Sequence, residues 1–179
     1  MVEGMRRSFR RQAYPKKGGF IPRPLIIFVK HGDEVIRMKF ERTKARPVGA
    51  DDERAIIAVL LRYATGIDSR DWPLFRTCFS DDFEADYGSF GKWRGPREIT
   101  DYMRQAHAHL GPTLHRLTNF TVEDDSTHVR ARSYVDALLM PLATGGPIHR
   151  GIGWYDDQMV RTSEGWKIAR RQFTPVRLA

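Results

Sequence analysis

The chain has 179 residues, enough for one domain and an appendage, and 41% of them are hydrophobic, which excludes a chain too polar to form a core. Its net charge of +8 is uneven, because residues 1–50 hold 13 Lys and Arg against 4 Asp and Glu, whereas residues 51–179 hold 17 against 18. The basic character therefore belongs to the first fifty residues, and the remainder lacks the excess of basic residues typical of nucleic-acid-binding domains.

The single cysteine, Cys78, excludes an internal disulfide and a cysteine-rich metal site. It lies in the apolar run Leu74 to Phe79, so we interpret it as a buried small hydrophobe rather than a nucleophile. No apolar stretch approaches the roughly 18 residues that a membrane span requires. Arg6-Arg7 resembles a twin-arginine signal, but no apolar segment follows it. The sequence therefore predicts a cytoplasmic protein without membrane association.

The first fifty residues divide into a basic arm and a possible hairpin. Residues 1–23 are rich in Arg, Lys, Gly and Pro without a sustained period, which indicates a flexible arm. The apolar segments 25–30 and 35–40 flank a Gly-Asp turn, a pattern typical of a β-hairpin. The alternative is that the natural start lies later, near Met38 or Val48, and that the arm is upstream sequence.

The main domain, residues 51–179, begins with helices. Negative charge at Asp51-Asp52-Glu53 and apolar residues at helical spacing predict a first helix that ends at Gly66. Residues 71–76 are typical of a shorter helix, because Pro73 suits a first turn. The pattern then predicts a strand at 81–87 and a third helix at about 96–109.

After Gly111-Pro112 the hydrophobic period changes from that of a helix to that of strands. Segments rich in Val, Thr and aromatic residues, separated by turn clusters, lie at 114–123, 128–140, 149–161 and 165–175. Helices followed by adjacent strands predict an α+β fold, with a curved antiparallel sheet wrapped around the N-terminal helices as a cone. The concave side of this sheet is expected to form an internal pocket.

Several short segments resemble the SnoaL-like branch of the nuclear transport factor 2-like fold. They are Phe79–Phe83, Trp93–Gly95, His115–Asn119, Ala131–Tyr134 and Gly165–Ile168. The resemblance covers about residues 51–176 and implies the same cone-shaped, cystatin-like α+β domain.

Three further segments are similar to scytalone dehydratase, namely Asp68–Trp72, Asp86–Phe90 and Pro112–His115. This resemblance implies that the catalytic Asp, one active-site Tyr and one His of that family fall on Asp68, Tyr87 and His115. Ile67 and Leu139 stand where that family has a second Tyr and a second His.

Two other lyase families resemble the chain at overlapping positions. Bile-acid 7α-dehydratase implies a set formed by Tyr63, Asp68, His115 and Asp136, and hexachlorocyclohexane dehydrochlorinase implies the same Asp and His. All three families are cofactor-independent eliminating lyases, so the resemblance implies a lyase that needs no cofactor.

The chemistry of these residue types fits elimination. A neutral imidazole with an ordinary pKa of about 6.5 takes a carbon-bound proton near neutral pH, and a carboxylate on its other nitrogen orients it. Our hypothesis is that His115 is the general base and that Asp68 orients it. A phenol stabilises a developing enolate or protonates departing hydroxide, which makes Tyr63 and Tyr87 candidates. Burial among apolar neighbours is expected to raise the pKa of Asp136 and let it act as an acid.

Each candidate also has a purely structural interpretation. Asp68 could cap the second helix, and His115 could be a core or rim histidine. Tyr63 and Tyr87 could pack in the core, and Asp136 could face solvent or form an ion pair on its strand.

Patterns for a metal or nucleotide cofactor are missing from the sequence. His107 and His109 lie two positions apart, on different sides of a helix rather than on one metal-binding face. The sequence has no Gly-rich phosphate loop, no Gly-x-Ser-x-Gly elbow and no His-Glu-x-x-His motif. We therefore expect neither a metal nor a nucleotide cofactor.

The function favoured by the sequence is a dehydratase-type lyase acting on a small apolar cyclic hydroxy or carbonyl compound of polyketide or steroid-like character. An isomerase or cyclase with the same acid–base pair is an alternative, because all three reactions begin with a proton transfer beside a carbonyl. A non-catalytic ligand-binding or assembly protein is another, and it predicts that Asp68 and His115 lie apart. Nucleic acid is a less favoured partner, because the basic arm lacks regularly spaced aromatic residues. A homodimer or homotrimer is expected, since open sheet faces are commonly covered by another copy.

Overall fold

The computed structural model describes residues 25–31, 34–40, 46–143 and 145–178. The chain forms two compact units, Met1–Arg42 and Thr43–Ala179. Each unit is described separately below. None of the described helices is long and apolar enough to cross a membrane.

The first unit contains a two-stranded antiparallel sheet. Strand β1, Leu25–His31, pairs with strand β2, Glu34–Phe40, in a register that runs from Leu25 opposite Phe40 to His31 opposite Glu34. These are the two segments expected to form a hairpin, each extended by one residue. The basic arm expected at residues 1–23 and the expected Gly-Asp turn lie outside the described residues.

The second unit begins with the short strand β3, Arg46–Pro47, and helix α1, Ala50–Asp68. Three acidic residues in the first turn of α1 stabilise its positive end, as expected, and its apolar stripe is buried. The prediction that Gly66 ends this helix is wrong, because the helix continues for two more residues. Gly66 instead permits close packing, since a β-carbon there would lie 2.8 Å from the backbone nitrogen of Phe75.

Helix α2, Trp72–Arg76, follows a tight turn at Arg70, whose φ of 59° lies in the left-handed region. The side chain of Asp71 caps α2 by accepting a hydrogen bond from the Leu74 backbone N–H at 2.9 Å. Proline lies in the first turn, as predicted. This capping assigns to Asp71 the role that the sequence had left open for Asp68.

The remaining elements include the predicted strands and third helix in their predicted order, together with a 3-10 turn and a short strand at Lys92–Arg94 that were not predicted. They are β4 (Phe79–Asp86), a 3-10 turn (Gly88–Phe90), β5 (Lys92–Arg94), α3 (Gly95–His107), β6 (Leu110–Asp124), β7 (Val129–Pro141), β8 (His149–Thr162) and β9 (Gly165–Leu178). Helix α3 ends two residues earlier than predicted, because the chain enters β6 at Leu110.

A single seven-stranded sheet organises the second unit, in the order β3-β6-β7-β8-β9-β4-β5. All neighbours are antiparallel except β4 and β9, which run parallel. The α+β prediction is therefore confirmed, while the expectation of a wholly antiparallel sheet misses this pair. No hairpin joins β4 to β9, the last strand of the chain, so no tight turn imposes opposite directions on them.

The core lies between the three helices and the inner face of the sheet. Its fully buried apolar residues include Ile56, Leu60, Phe75, Phe83, Ile99 and Ile168. Cys78 is also fully buried, and burial raises the pKa of its thiol to about 11. The interpretation of this cysteine as a small hydrophobe is confirmed.

Candidate active site

The end of helix α1 and the first half of strand β6 bring Asp68 and His115 together. The Oδ1 atom of Asp68 lies 2.6 Å from the Nδ1 atom of His115, and its Oδ2 atom accepts from the His115 backbone N–H at 2.7 Å. The hydroxyl of Thr113 donates to the same carboxylate at 2.8 Å. One carboxylate therefore fixes both the ring and the backbone of His115.

Arg70 braces this arrangement, and the sequence analysis did not identify it. One guanidinium nitrogen donates at 2.8 Å to the carbonyl of Ile67 and at 2.8 Å to the hydroxyl of Thr113. The other donates at 2.9 Å to the carbonyl of Gly111. These bonds hold the strained left-handed turn that follows Asp68. Arg70 therefore ties the end of α1 to the start of β6.

Electrostatics keep Asp68 ionised. Partial burial alone would raise the pKa of this carboxyl, but the hydrogen bonds from the His115 ring, the His115 backbone and Thr113 outweigh it and lower the pKa. An ionised carboxylate can only accept hydrogen bonds, so the Nδ1 atom of His115 carries a hydrogen. In the neutral ring the Nε2 atom therefore has a free lone pair.

His115 lies in the wall of a cavity of about 510 Å³ between the helices and the inner face of the sheet. Its side chain is only 7% exposed, and Asp68, at 21%, lies behind it and does not line the cavity. The wall is rich in aromatic residues, namely Tyr63, Tyr87, Phe90, Trp93, Tyr102, Tyr155 and Phe173. This composition fits a small, largely apolar ring compound.

Tyr63 and Tyr87 also line the cavity, with their hydroxyl oxygens 3.3 Å apart. Burial raises the pKa of both phenols well above the ordinary value of about 10, so both stay protonated at neutral pH. Tyr63 also packs against Phe75, with ring centroids 5.2 Å apart. Tyr63 therefore packs in the core and also lines the cavity, so the packing interpretation and the active-site interpretation are compatible.

A buried ion pair lies directly behind the tyrosines. Arg171 donates two hydrogen bonds to Asp157, both at 2.7 Å, and both side chains are fully buried. The guanidinium carbon lies 4.1 Å from the ring centroids of Tyr63 and Tyr155. Burial raises the pKa of Asp157, and pairing with the guanidinium opposes that rise. The pair therefore fixes two aromatic rings of the wall by cation–π contacts.

Asp136 corrects the sequence analysis, because it lies on the opposite face of the sheet. Its neighbours Val135 and Ala137 face the cavity, and strand alternation points Asp136 outward. There it accepts from Arg150 at 2.7 and 2.9 Å and from Arg116 at 2.7 Å. These arginines lower its pKa, so the prediction of a raised pKa is wrong and the ion-paired alternative is what the structure contains.

The two histidines near the end of α3 differ from each other. His107 is buried and lines the cavity, whereas His109 is exposed. The ring centroids of His107 and His115 are 6.1 Å apart. Among the residues that the structure describes, no three His, Cys, Asp or Glu side chains are grouped so as to hold a metal ion.

Comparison with known proteins gives matches to the main domain. Residues 49–172 match the SnoaL-like domain. An uncharacterized protein of Mycobacterium tuberculosis (strain ATCC 25618 / H37Rv) is 29% identical over 124 residues, which cover 67% of this chain and 82% of that protein.

Two solved structures share the fold. A candidate scytalone dehydratase of Novosphingobium aromaticivorans superposes with a TM-score of 0.65 at 21% identity, covering 70% of this chain and 85% of that one. The hexachlorocyclohexane dehydrochlorinase of Novosphingobium barchaimii gives 0.64 at 20% identity, covering 73% and 93%. The main domain therefore has the nuclear transport factor 2-like, or cystatin-like, fold.

Proposed function

Residues 49–172 make this chain a member of the SnoaL-like domain family, and from that premise we propose that it is a cofactor-independent lyase. The proposed substrate is a small apolar cyclic compound that carries a hydroxyl and a carbonyl. The observation that carries the proposal is the 2.6 Å contact between Asp68 and His115 in the wall of an aromatic cavity. The similarity in fold to a dehydratase and a dehydrochlorinase supports the same class of reaction.

Proton abstraction is the first proposed step. The Nε2 atom of His115 takes a proton from the carbon next to the substrate carbonyl, and the C–H electron pair moves into an enolate. The positive charge that forms on the ring lies beside the ionised carboxylate of Asp68, which stabilises it. Because the carboxylate already holds Nδ1–H, the ring needs no reorientation during the step.

Tyr63 and Tyr87 are the proposed donors to the enolate oxygen. Both phenols are protonated, and a pair of hydroxyls 3.3 Å apart shares one hydrogen between them and leaves the other free to donate into the cavity. A fixed donor aimed at a developing negative charge lowers the barrier, because it needs no reorganisation as the charge forms.

Loss of water completes the reaction. The enolate electrons form the new carbon–carbon double bond, the carbon–oxygen bond to the leaving hydroxyl breaks, and the His115 imidazolium returns its proton to the departing oxygen. Water and an unsaturated ketone leave, and His115 is neutral again. With Asp136 outside, no carboxyl group lines the described part of the cavity, which is why we assign the proton donor to His115 and not to a carboxylic acid.

An isomerase or cyclase is the second candidate. The absence of a carboxylic acid from the described cavity wall favours it, because the enolate formed at His115 can also be reprotonated at another carbon. The two reactions differ in their products, since only elimination releases water and lengthens the conjugation of the ketone.

The assembly and location of the protein complete the proposal. We propose a homodimer or homotrimer, supported by Leu114 and Tyr134, each 47% exposed on the outer face of the sheet. We also propose a cytoplasmic location, supported by the presence of one cysteine as a free, buried thiol.

The decisive experiment is turnover of a panel of β-hydroxy cyclic ketones, followed by the ultraviolet absorbance of the conjugated enone. We expect His115→Ala to lower kcat/KM about 100-fold or more, the usual contribution of a general base. Asp71→Asn is a matched control, because Asn also caps helices and Asp71 lies three residues from Asp68. Equal rates for the parent protein and His115→Ala would overturn the proposal.

A further inference from the structure

His107 is a buried polar group of the cavity wall that the proposed reaction leaves unused. It lies in the last turn of α3, is only 7% exposed and lines the same cavity as His115. Its ring packs edge-on against Trp72, with centroids 6.2 Å apart. The ring is therefore held in place from behind while it forms part of the wall.

Hydrogen bonding fixes which nitrogen of His107 carries the hydrogen. The Nδ1 atom lies 2.8 Å from the carbonyl oxygen of Met103, and a carbonyl can only accept, so Nδ1 is the donor. In the neutral ring the Nε2 atom is consequently an acceptor. Burial lowers the pKa of His107 to about 4, which keeps the ring neutral at physiological pH.

The Nε2 atom of His107 is buried and has no hydrogen-bond partner among the described residues. Buried polar atoms almost always have a partner, so an orphaned acceptor in a cavity wall calls for a specific explanation. A water molecule or a ligand hydroxyl in the cavity would satisfy it. An apolar ligand would leave it unpaired, so the site discriminates in favour of a donor.

We propose that His107 is a positioning and specificity-determining residue that accepts a hydrogen bond from a hydroxyl group of the ligand. The inference rests on the proposed function, because it assigns the substrate a hydroxyl in addition to the one that leaves. A neutral acceptor cannot protonate departing hydroxide, so we assign the leaving hydroxyl to the His115 side of the cavity and a second, retained hydroxyl to His107. The ligand class is therefore a cyclic ketone with a retained alcohol or phenol group.

Binding of unreactive ligand pairs tests this assignment. The probes are α-tetralone and the phenolic hydroxytetralones, which differ from it by one hydroxyl on the aromatic ring and cannot lose water. We expect at least one hydroxytetralone to bind the full-length protein about 5- to 10-fold more tightly than α-tetralone, the gain typical of one added hydrogen bond. His107→Phe, which keeps a planar ring, should reduce this preference to below about 2-fold without weakening α-tetralone binding.

Two further variants separate the hydrogen bond from packing. His107→Gln retains an acceptor and should restore part of the preference. His109→Phe alters an exposed histidine two residues away and should keep the full preference. In the parent protein, the Nε2 nitrogen resonance of His107 should shift with the hydroxytetralone and not with α-tetralone. That measurement decides the question even where a variant fails to fold.

The inference is overturned if no hydroxytetralone binds more tightly than α-tetralone, or if the preference survives in His107→Phe. Neither result affects the proposed elimination, because that proposal is decided by turnover of β-hydroxy ketones and its dependence on His115. Conversely, loss of the lyase proposal with an intact hydroxyl preference would identify a binding protein that uses His107.

Discussion

Asp156 and Asp157 are neighbours in β8 that form the same kind of ion pair on opposite faces of the sheet. Asp156 accepts two hydrogen bonds from Arg132, and the two side chains are 38% and 49% exposed. Asp157 accepts two from Arg171, and both side chains are fully buried. Water solvates the outer charges with or without pairing, whereas each inner charge depends on its partner. Two ion pairs of similar geometry are therefore expected to contribute very differently to the free energy of unfolding.

The largest effect is expected when the inner pair is broken. Asp157→Asn leaves the buried guanidinium of Arg171 without its counter-charge, and such a change costs about 3–5 kcal/mol of unfolding free energy. Asp156→Asn is the matched outer substitution, and it should cost less than about 1 kcal/mol. Urea denaturation followed by tryptophan fluorescence measures both.

Similar losses of stability in Asp157→Asn and Asp156→Asn would contradict the proposed difference between the buried and the exposed ion pair. A joint replacement, Asp157→Leu with Arg171→Met, tests the same difference in a second way. Because both charges are removed together, this variant should recover much of the stability lost by Asp157→Asn. It also removes the cation beside Tyr63 and Tyr155, so the stability that it fails to recover includes the loss of the cation–π contacts.

The second prediction concerns a pair that is only partly buried. Asp68→Asn should lower turnover about 100-fold, because a neutral amide stabilises the His115 imidazolium poorly. Its NH₂ group can also donate to Nδ1, which places the ring hydrogen on Nε2 and removes the proton-accepting lone pair from the cavity. Its unfolding free energy should fall by much less than that of Asp157→Asn, since the Asp68 side chain is 21% exposed. Steady-state kinetics and urea denaturation of the same preparation measure the two quantities. A variant that keeps full turnover but unfolds easily would assign Asp68 a structural role.

The third prediction concerns the pH dependence of stability. His107 is buried without a charged partner, unlike the pairs Asp157–Arg171 and Asp68–His115. The pKa of His107 is about 4 in the folded protein and about 6.5 in an unfolded chain. Between these values the unfolded chain binds more protons, so the contribution of His107 to stability falls as the pH drops from about 6.5 to about 4 and changes no further below that. The loss attributable to His107 should be about 3 kcal/mol.

His107→Phe supplies the control for this pH dependence. It removes the titrating group, so the difference in unfolding free energy between parent and variant should vary with pH only between about 4 and 6.5. Asp68 affects the stability of the fold over a different pH range. Its pKa is lowered in the folded protein, so its contribution is complete above the ordinary carboxyl pKa and is lost at lower pH. A parent-minus-variant difference that does not change between pH 7 and pH 4 would contradict the assigned neutral state.

The order of the longer helices and strands could be predicted from the sequence because periodicity is a local property, whereas the short strands β3 and β5 are too brief to show a period. The Asp68–His115 pair was accessible only through resemblance to known lyases, since 47 residues separate its members. Arg70 escaped detection because its role depends on a left-handed turn and on carbonyl groups of other elements. No local pattern of residue types encodes those contacts.

Arg171 was missed for a different reason. Strand alternation counted from the buried Ile168 would place Arg170 inward and Arg171 outward. Met159 and Gln158 are consecutive in β8, but they pair with Ile168 and Arg170 of β9. Ala169 is therefore an extra residue in β9, and it reverses which of the following side chains point inward. A one-residue bulge therefore converts an expected surface arginine into the buried one.

The smallest expected effect comes from Asp136, on the outer face. Asp136→Asn weakens its pairs with Arg116 and Arg150, but water solvates all three side chains and none of the proposed steps uses this carboxyl. Turnover of β-hydroxy ketones should stay within about two-fold of the parent rate, as is usual for surface substitutions. Steady-state kinetics beside Asp68→Asn measures the contrast. A loss close to that of Asp68→Asn would mean that the outer face contributes to the reaction, because Asp136 could then act through Arg150, which also lines the cavity, or through the strand it shares with Val135 and Ala137.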